Sequence, residues 1–409
     1  MASRQDGVTQ LYDLPQGGGR ERLPQPEKTK DKVLLDERGL LDLPFLALTV
    51  LLVLIGVIMV FSASYARAYY LTGNSTYYFV RQAIFAVAGI AGMLFVSRLN
   101  YQLWRSASFI ILLVSVFFLM LVPIIGSTAN GAKRWIKVAD IRFQPSELAK
   151  LALIITLSKA LTRYPDRPIP NFRYFVYICM HFGIPALLIA AQPDIGTLMV
   201  FCIIFIALLF VSGFELKWMF LLGGIVAAGI TPIIFYLAST NNFRWLRLGI
   251  NPESDPTGSS YQIVNSKITI GSGGLYGKGA WSEGTLTHLN YVPENHTDFI
   301  FSVVGETLGF FGSLVLLALY AFVIYRMLVL AFHTNDKFGQ LIIIGVMAML
   351  VFHVYENIGM CIGVMPITGI PLPFISYGGT NLVVNMAGVG LVLNVTQHKS
   401  SVDLKTKRS

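Results

Sequence analysis

Apolar runs of about 20 residues alternate with short polar breaks along most of this chain. Such runs are long enough to cross the hydrocarbon core of a bilayer as helices. About ten are expected, over 44–63, 79–97, 107–125, 146–161, 174–191, 195–213, 218–238, 299–325, 339–361 and 377–395. The fourth is short and the eighth long for one crossing. The expected fold class is an all-α polytopic membrane protein. Residues 1–43 are polar, with Gly17-Gly18-Gly19 and scattered prolines, and are expected to form a disordered tail. Residues 399–409 form a short tail of the same kind. A cleaved signal peptide is not expected, because the polar head and the first apolar run are both too long. The connection 239–297, between the seventh and eighth runs, is too long for a simple turn, and connections of that size are usually functional. Its apolar patches, Tyr261-Gln262-Ile263-Val264 and Ile268-Thr269-Ile270, suit a membrane surface.

Charge adds an orientation. The chain is 54% hydrophobic and 13% charged, with a mean hydropathy of +0.63. The formal net charge of +9 is spread over the flanks of the spans, which excludes a soluble nucleic-acid binder. With the N-terminus in the cytoplasm, Arg98, Arg105, Arg163, Arg167, Arg173, Lys217, Arg326, Lys337 and the tail Lys399–Arg408 all fall inside. That satisfies the positive-inside rule, and an even number of spans returns the C-terminus to the same side. Two outer loops break the pattern: 126–145, with Lys133, Arg134, Lys137 and Arg142, and 239–297, with Arg244, Arg247, Lys267 and Lys278. Cys179, Cys202 and Cys361 lie inside apolar runs and read as small buried hydrophobes, with no disulfide or metal cluster expected.

Candidate chemistry gathers at the outer ends of the spans. Asp298, in His296-Thr297-Asp298-Phe299-Ile300-Phe301, opens the eighth run, where a charge needs a reason. The helix N-terminus favours its ionised form, which suits a general base or a cation ligand; a plain helix cap, by Asp298 or Thr297, is the competing reading. Glu306 lies roughly 12 Å deeper on the same helix, where an ionisable residue normally faces a cavity or partner. In the loop around 130–150, Lys133 and Arg134 form either an anion grip or part of an interfacial loop anchored by Trp135. Pro145 suits the first turn of a helix, and Glu147 and Lys150, three apart, share one face of it. In Gln192-Pro193-Asp194-Ile195-Gly196-Thr197, Asp194 either caps the next helix or lines a polar outer cavity with Gln192. The glycines of 271–279 form either a flexible loop or a backbone nest for phosphate, and do not match a nucleotide-binding P-loop. The stretch Pro371–Asn381, with its prolines and paired glycines, breaks a membrane segment, either as a re-entrant hairpin or as backbone open to the same outer cavity.

In combination these stretches are far more specific than any alone. Gly131-Ala132-Lys133-Arg134-Trp135, Gln144-Pro145-Ser146-Glu147, Gln192–Thr197, His296–Phe301 and Ser376-Tyr377-Gly378-Gly379 occur in the order found in the SEDS family (shape, elongation, division and sporulation), which the chain resembles over roughly 40–400. Within the family the likeness is greatest to the RodA elongation branch, carried by Asn251-Pro252-Glu253-Ser254-Asp255-Pro256, Ser266-Lys267-Ile268, Gly271-Ser272-Gly273-Gly274 and Gly369-Ile370-Pro371-Leu372-Pro373. The extended N-terminal tail keeps an FtsW-like division or SpoVE-like sporulation paralogue open. Glu356 is an acid not expected in its helix and is assigned no role.

The resemblance implies a membrane glycosyltransferase domain over 44–398 that polymerises lipid II on the outer face of the bacterial cytoplasmic membrane. The acceptor 4-hydroxyl attacks the anomeric carbon of a strand held on undecaprenyl pyrophosphate, and the lipid pyrophosphate leaves. That chemistry needs a base at the hydroxyl and positive charge at the leaving group. Asp298 matches the family's essential aspartate and is the expected base. Lys133 and Arg134 are expected at the pyrophosphates and Trp135 at sugar or lipid. Gln144, Glu147, Lys150, Gln192, Asp194, His296, Glu306, Ser376 and Tyr377 complete the expected substrate-binding set. A divalent cation, Mg²⁺ or Mn²⁺, bridging Asp298 and a phosphate is compatible, and no organic cofactor is expected. The implied partner is a class B penicillin-binding protein, a transpeptidase, on the eighth and ninth helices and the long outer loop, alongside other elongation or division machinery. Two rivals stand: a lipid II flippase using Lys150, Glu306 and Glu356 as a polar path, and a non-catalytic scaffold of the wall machinery.

Overall fold

Several of the described helices start or stop at a residue whose chemistry gives the reason. The computed structural model describes residues 41–129, 132–138, 141–163, 172–213, 215, 217–220, 260–282 and 284–406. The tail 1–40, most of the expected span 218–238 and the stretch Asn251–Pro256 lie outside the described residues. Helix α1 (Leu43–Thr72) opens with Asp42 accepting the Phe45 amide at 3.0 Å and closes on Gly73 in the left-handed conformation. Helices α2 (Tyr77–Arg98) and α3 (Tyr101–Ile125) follow, with Asn100 capping α3 through the Gln102 amide. Pro145 sits in the first turn of α4 (Pro145–Leu161), as its sequence predicts. Helices α5 (Phe172–Ala190), α6 (Ile195–Val211), α7 (Tyr261–Ser272), α8 (Ile300–Phe332), α9 (Lys337–Cys361) and α10 (Gly379–Thr406) complete the described set. α10 thus runs on through most of the expected tail 399–409.

Among the described residues, seven helices are long and apolar enough to cross a membrane: α1, α2, α3, α5, α8, α9 and α10. α6 is apolar but only 17 residues long. α4, also 17 residues, buries nearly every side chain, including Glu147 and Lys150. An inner helix shielded by neighbours needs neither the length nor the uniform apolar surface of a lipid-facing one, which is why its run looked short. α9 is the central element: 78% of its spanning window is buried, against 22% for α2 and α3. α9 packs on α4, α6, α8 and α10; α10 packs along α2, and α1 lies against α2 and α8.

Two expected loops are more structured than their sequences suggest. Residues 127–143 fold into a three-stranded antiparallel sheet, β1 (Ser127–Ala129), β2 (Ala132–Val138) and β3 (Ile141–Phe143), in that order. Lys137 faces Arg142 across β2–β3, and Ile136 faces Phe143. Alternation along β2 turns Ile136 inward and leaves Lys133 and Lys137 exposed. The glycine-rich stretch after α7 is neither a loose loop nor a phosphate nest. It is a strap laid against α8, with the amides of Lys278 and Gly279 donating to the carbonyls of Glu306 and Thr307 at 2.9 and 3.0 Å. Those amides are therefore committed to protein carbonyls.

Candidate functional site

Asp298 is the last residue but one of a run of turns, 293–299, that leads into the first residue of α8. The Glu294 carbonyl accepts the amides of Thr297 and Phe299, both at 3.2 Å, and this shapes the turn. The N-cap position of α8 is Phe299, and no side chain caps it. The capping reading of Asp298 or Thr297 therefore fails; the Thr297 hydroxyl is instead bonded to Glu294. The main chain of Asp298 is gripped from α9: its carbonyl accepts from Asn357 Nδ2 at 2.7 Å and from Cys361 Sγ at 3.8 Å. The same Asn357 amide holds the Ile370 carbonyl at 2.8 Å. The 366–370 segment thereby runs beside the carboxylate, and a methyl group added to Gly369 would lie 3.5 Å from Asp298 Oδ2.

The Asp298 side chain is half-buried, and among the described residues no donor is bonded to its oxygens. Burial pushes its carboxyl up to about 7; the negative charge of Glu294 adds to this, and Arg134 opposes it. A carboxylate with free lone pairs and a proton affinity near neutrality is equipped to accept a proton from a hydroxyl group.

The cation comes from the sheet. Successive residues of a strand point to opposite faces. Arg134 is turned inward, where it donates to the Pro193 carbonyl and lies 3.6 Å from Asp194 Oδ1, with 28% of its side chain exposed. Lys133 is left exposed on the other face, so the two do not form one grip. Trp135 is half-buried, and its carbonyl accepts from Ser127 Oγ at 3.2 Å.

Asp194 caps α6 through the Thr197 amide at 3.3 Å, and it also gathers Gln144 Nε2, Ser146 Oγ and Thr197 Oγ1 at 3.2, 3.4 and 2.9 Å. The capping reading of Asp194 therefore holds, and the same carboxylate also fixes the Arg134 guanidinium. Gln192 donates to the Leu119 carbonyl at 3.0 Å. One layer deeper, Lys150 Nζ reaches Glu147 Oε1 at 2.8 Å and His353 Nε2 at 2.9 Å, while Asn381 donates to Glu147 Oε2 at 2.9 Å. His353 Nδ1 lies 2.7 Å from the Met349 carbonyl, so it carries the proton and Nε2 accepts from the ammonium. This network ties α4, α9 and α10 together.

An aromatic wall closes another side. The rings of Tyr78, His296 and Tyr377 lie 4.8 to 5.7 Å apart. The His296 carbonyl accepts the Tyr377 amide at 2.9 Å, and Gln82 donates to the Ser376 carbonyl at 3.2 Å. The Ser376 hydroxyl is spent on the Leu372 amide at 2.8 Å, inside a buried turn that matches the re-entrant reading of this segment. His296 is pushed down to about 4 by burial and by Arg67, with Glu294 opposing, so its ring is neutral at pH 7. Its Nδ1 is buried without a partner among the described residues. Glu306 is fully buried in a cage of donors from the strap.

Several of these residues escape a reading of the sequence. Arg67 pairs with Glu294 at 3.3 Å and shapes the field at His296. A lone cation near the outer end of the first span was the available signal. Glu294, four residues before Asp298, was visible as part of the same polar run. Asn357 and His353 gave no signal, because an amide or imidazole in an apolar helix acquires meaning only from its partner on another helix. Among the described residues no three His, Cys, Asp or Glu side chains converge as a metal cage.

Comparison with known proteins extends this picture. The family model described as cell cycle protein, covering FtsW, RodA and SpoVE, matches residues 43–401. The chain is 37% identical over 364 residues to the probable peptidoglycan glycosyltransferase FtsW of Trichlorobacter lovleyi, covering 87% of this chain and 93% of that protein. It is equally, 37%, identical over 311 residues to the peptidoglycan glycosyltransferase MrdB of Escherichia coli K12, covering 76% of this chain and 83% of the relative. A solved structure described as the structural coordination of polymerization and crosslinking by a peptidoglycan synthase complex superposes with a TM-score of 0.73 at 28% identity, covering 88% of this chain and 98% of the other.

Proposed function

The chain belongs to the FtsW, RodA and SpoVE family of cell cycle proteins, and from that premise we infer that it is a multi-pass membrane peptidoglycan glycosyltransferase. It joins lipid-linked peptidoglycan units into glycan strands. The acceptor hydroxyl attacks the anomeric carbon of the donor; the C–O bond to the lipid pyrophosphate breaks, and the hydroxyl proton goes to a base. In our reading that base is Asp298, that outer end of the bundle faces away from the cytoplasm, and the membrane is the bacterial cytoplasmic membrane. The observation that carries the assignment is the Asp298 carboxylate: half-buried, free of donors among the described residues, and raised to about 7. Arg134, held by Asp194 and the Pro193 carbonyl and exerting its charge on Asp298, supplies fixed positive charge for the leaving pyrophosphate. The neutral His296 and the rings of Tyr78 and Tyr377 offer an amphipathic wall of the kind sugars pack against.

A divalent cation would be held by Asp298, since no cluster of three His, Cys, Asp or Glu converges among the described residues, and substrate phosphates and water would complete its shell, as is usual for Mg²⁺. Bound there, it would neutralise phosphate charge. The polar path that a transporter would assemble from Lys150, Glu306 and Glu356 is divided among separate networks, since Glu356 bonds Thr368 at 3.0 Å and the other two have their own partners. The synthase-complex likeness supports a penicillin-binding partner, here a class B transpeptidase. Equal identity to FtsW and MrdB relatives supports no choice between division and elongation, and the RodA-like motifs favour elongation.

The deciding experiment is polymerisation of purified lipid II by the chain with its transpeptidase partner, the partner's own active site blocked. Wild type makes polymer and a folded, partner-bound Asp298→Ala makes none. Equal polymer from both removes Asp298 from the mechanism.

A further inference from the structure

Glu306 collects more hydrogen bonds than the reaction requires of it. Its Oε1 accepts from the Leu286 amide at 2.8 Å, Lys278 Nζ at 3.0 Å and Ser272 Oγ at 3.2 Å. Its Oε2 accepts from the Thr287 amide at 2.8 Å and the Thr287 hydroxyl at 2.6 Å. Glu306 and Thr287 are buried, so without the carboxylate the Thr287 amide would lack water as well as a protein acceptor, whereas Lys278 stays partly open to solvent. These five bonds leave the carboxylate little capacity for a substrate.

The contacts have a direction. Glu306, on α8, lies two turns below Asp298, and its donors are Ser272 at the end of α7 and Lys278, Leu286 and Thr287 of the strap that follows it. The strap is also laid backbone to backbone on α8: besides the Lys278 and Gly279 amides, Phe310 and Phe311 donate to the Gly274 and Leu275 carbonyls at 2.9 and 3.2 Å. That pairing interrupts α8 at Gly309, whose φ of 66° is left-handed. Only glycine serves at Gly277 (φ 80°), where a methyl group would meet Thr307 O at 2.3 Å. From the strap the chain of bonds continues upward. The Thr287 carbonyl accepts from Asn295 Nδ2 at 3.3 Å, and Asn295 is buried immediately before His296-Thr297-Asp298.

We propose that Glu306 is a positioning residue: it clasps the strap to the upper half of α8, and through Thr287 and Asn295 it fixes the turn that presents Asp298. The clasp itself rests on geometry alone; its kinetic consequence rests on the glycosyltransferase reading above. Misplacing a reacting group by about 1 Å costs on the order of a hundredfold in rate.

The test uses the full chain in nanodiscs with its partner, comparing wild type, Glu306→Ala and Glu306→Gln. Amide exchange is read on peptides covering 284–290 and 293–299, and polymerisation is read as kcat, KM and pH profile. Glu306→Ala is expected to lose protection in both peptides, to lower kcat by about tenfold or more with KM within about threefold, and to move the acidic limb of the profile down as Asp298 hydrates. Glu306→Gln, which keeps an acceptor for the Leu286 or Thr287 amide, is expected to recover part of both readouts. Loss of protection in 284–290 alone, with kcat and the limb unchanged, overturns the proposal. Unchanged exchange in both peptides overturns it as well. Failure of wild type to polymerise would count against the glycosyltransferase reading, while the coupling between the two peptides would still decide the clasp.

Discussion

At the scale of single residues the site is a balance of charges around one carboxyl. Burial and Glu294 raise Asp298 to about 7, and Arg134 lowers it. A base must be ionised to act, so kcat/KM should fall on the acid side of about pH 7. Removing the cation removes the opposing influence: Arg134→Ala should move that limb to higher pH and lower the rate, because the leaving group loses its partner. A pH–rate profile of lipid II polymerisation measures both, and a limb that stays put or moves down refutes the coupling. The same raised carboxyl has a stability consequence. A folded-state value above the ordinary 3.8 means that the folded protein holds this proton more tightly than the unfolded one. The favourable contribution is complete below about pH 4 and is lost as pH rises through about 7. Asp298→Asn stays neutral, so its thermal midpoint should exceed that of wild type above pH 7, with the gap closing toward pH 5. Parallel midpoints from pH 5 to pH 9 would show that Asp298 is not raised.

At the scale of elements, function depends on irregular backbone held by neighbours. α8 is two helical pieces joined at Gly309, and the strap satisfies the backbone groups that the break releases. Gly277→Ala tests this without touching a charged group. The left-handed backbone alone costs about 1–2 kcal/mol with a β-carbon, and the methyl group meets the Thr307 carbonyl at 2.3 Å. The expected result is faster amide exchange over 273–279 and a lower thermal midpoint. Unchanged exchange would mean that the strap does not depend on this close approach. The β1–β2–β3 sheet serves a parallel purpose, since its alternation decides that Arg134, and not Lys133, turns inward onto Pro193 and Asp194, from where its charge acts on Asp298.

For the whole molecule, the Glu147–Lys150–His353–Asn381 network is the joint on which three inner helices meet. Both charges are buried, with 4% and 1% of their side chains exposed. Breaking one half of such a pair leaves an uncompensated charge and costs roughly 3–5 kcal/mol. Lys150→Met should therefore lower the unfolding midpoint in detergent markedly. Adding Glu147→Gln should recover much of the loss, because no buried charge remains. If the double variant is no better than the single one, the cost lies in packing and not in charge.

The apolar periodicity determined the all-α class and most spans: those runs follow from the length a helix needs to cross a bilayer, which is a local property of the chain. Asp298, Arg134 and the Gln144–Lys150 and Gln192–Thr197 stretches were legible for a related reason, since polar residues stand out at the ends of apolar runs. The sheet in 127–143 was not legible, because three short strands pair only after α3, α4 and α10 give them a floor. Nor were the partners of Glu306 and Asn357, or the part played by Arg67 and His353. A carboxylate, an amide or an imidazole has no role until a donor or acceptor from a distant segment comes within about 3 Å. Tertiary structure alone made those pairings, and it alone decided that Asp298 keeps free lone pairs while Glu306, eight residues on, spends all of its capacity on holding the loop.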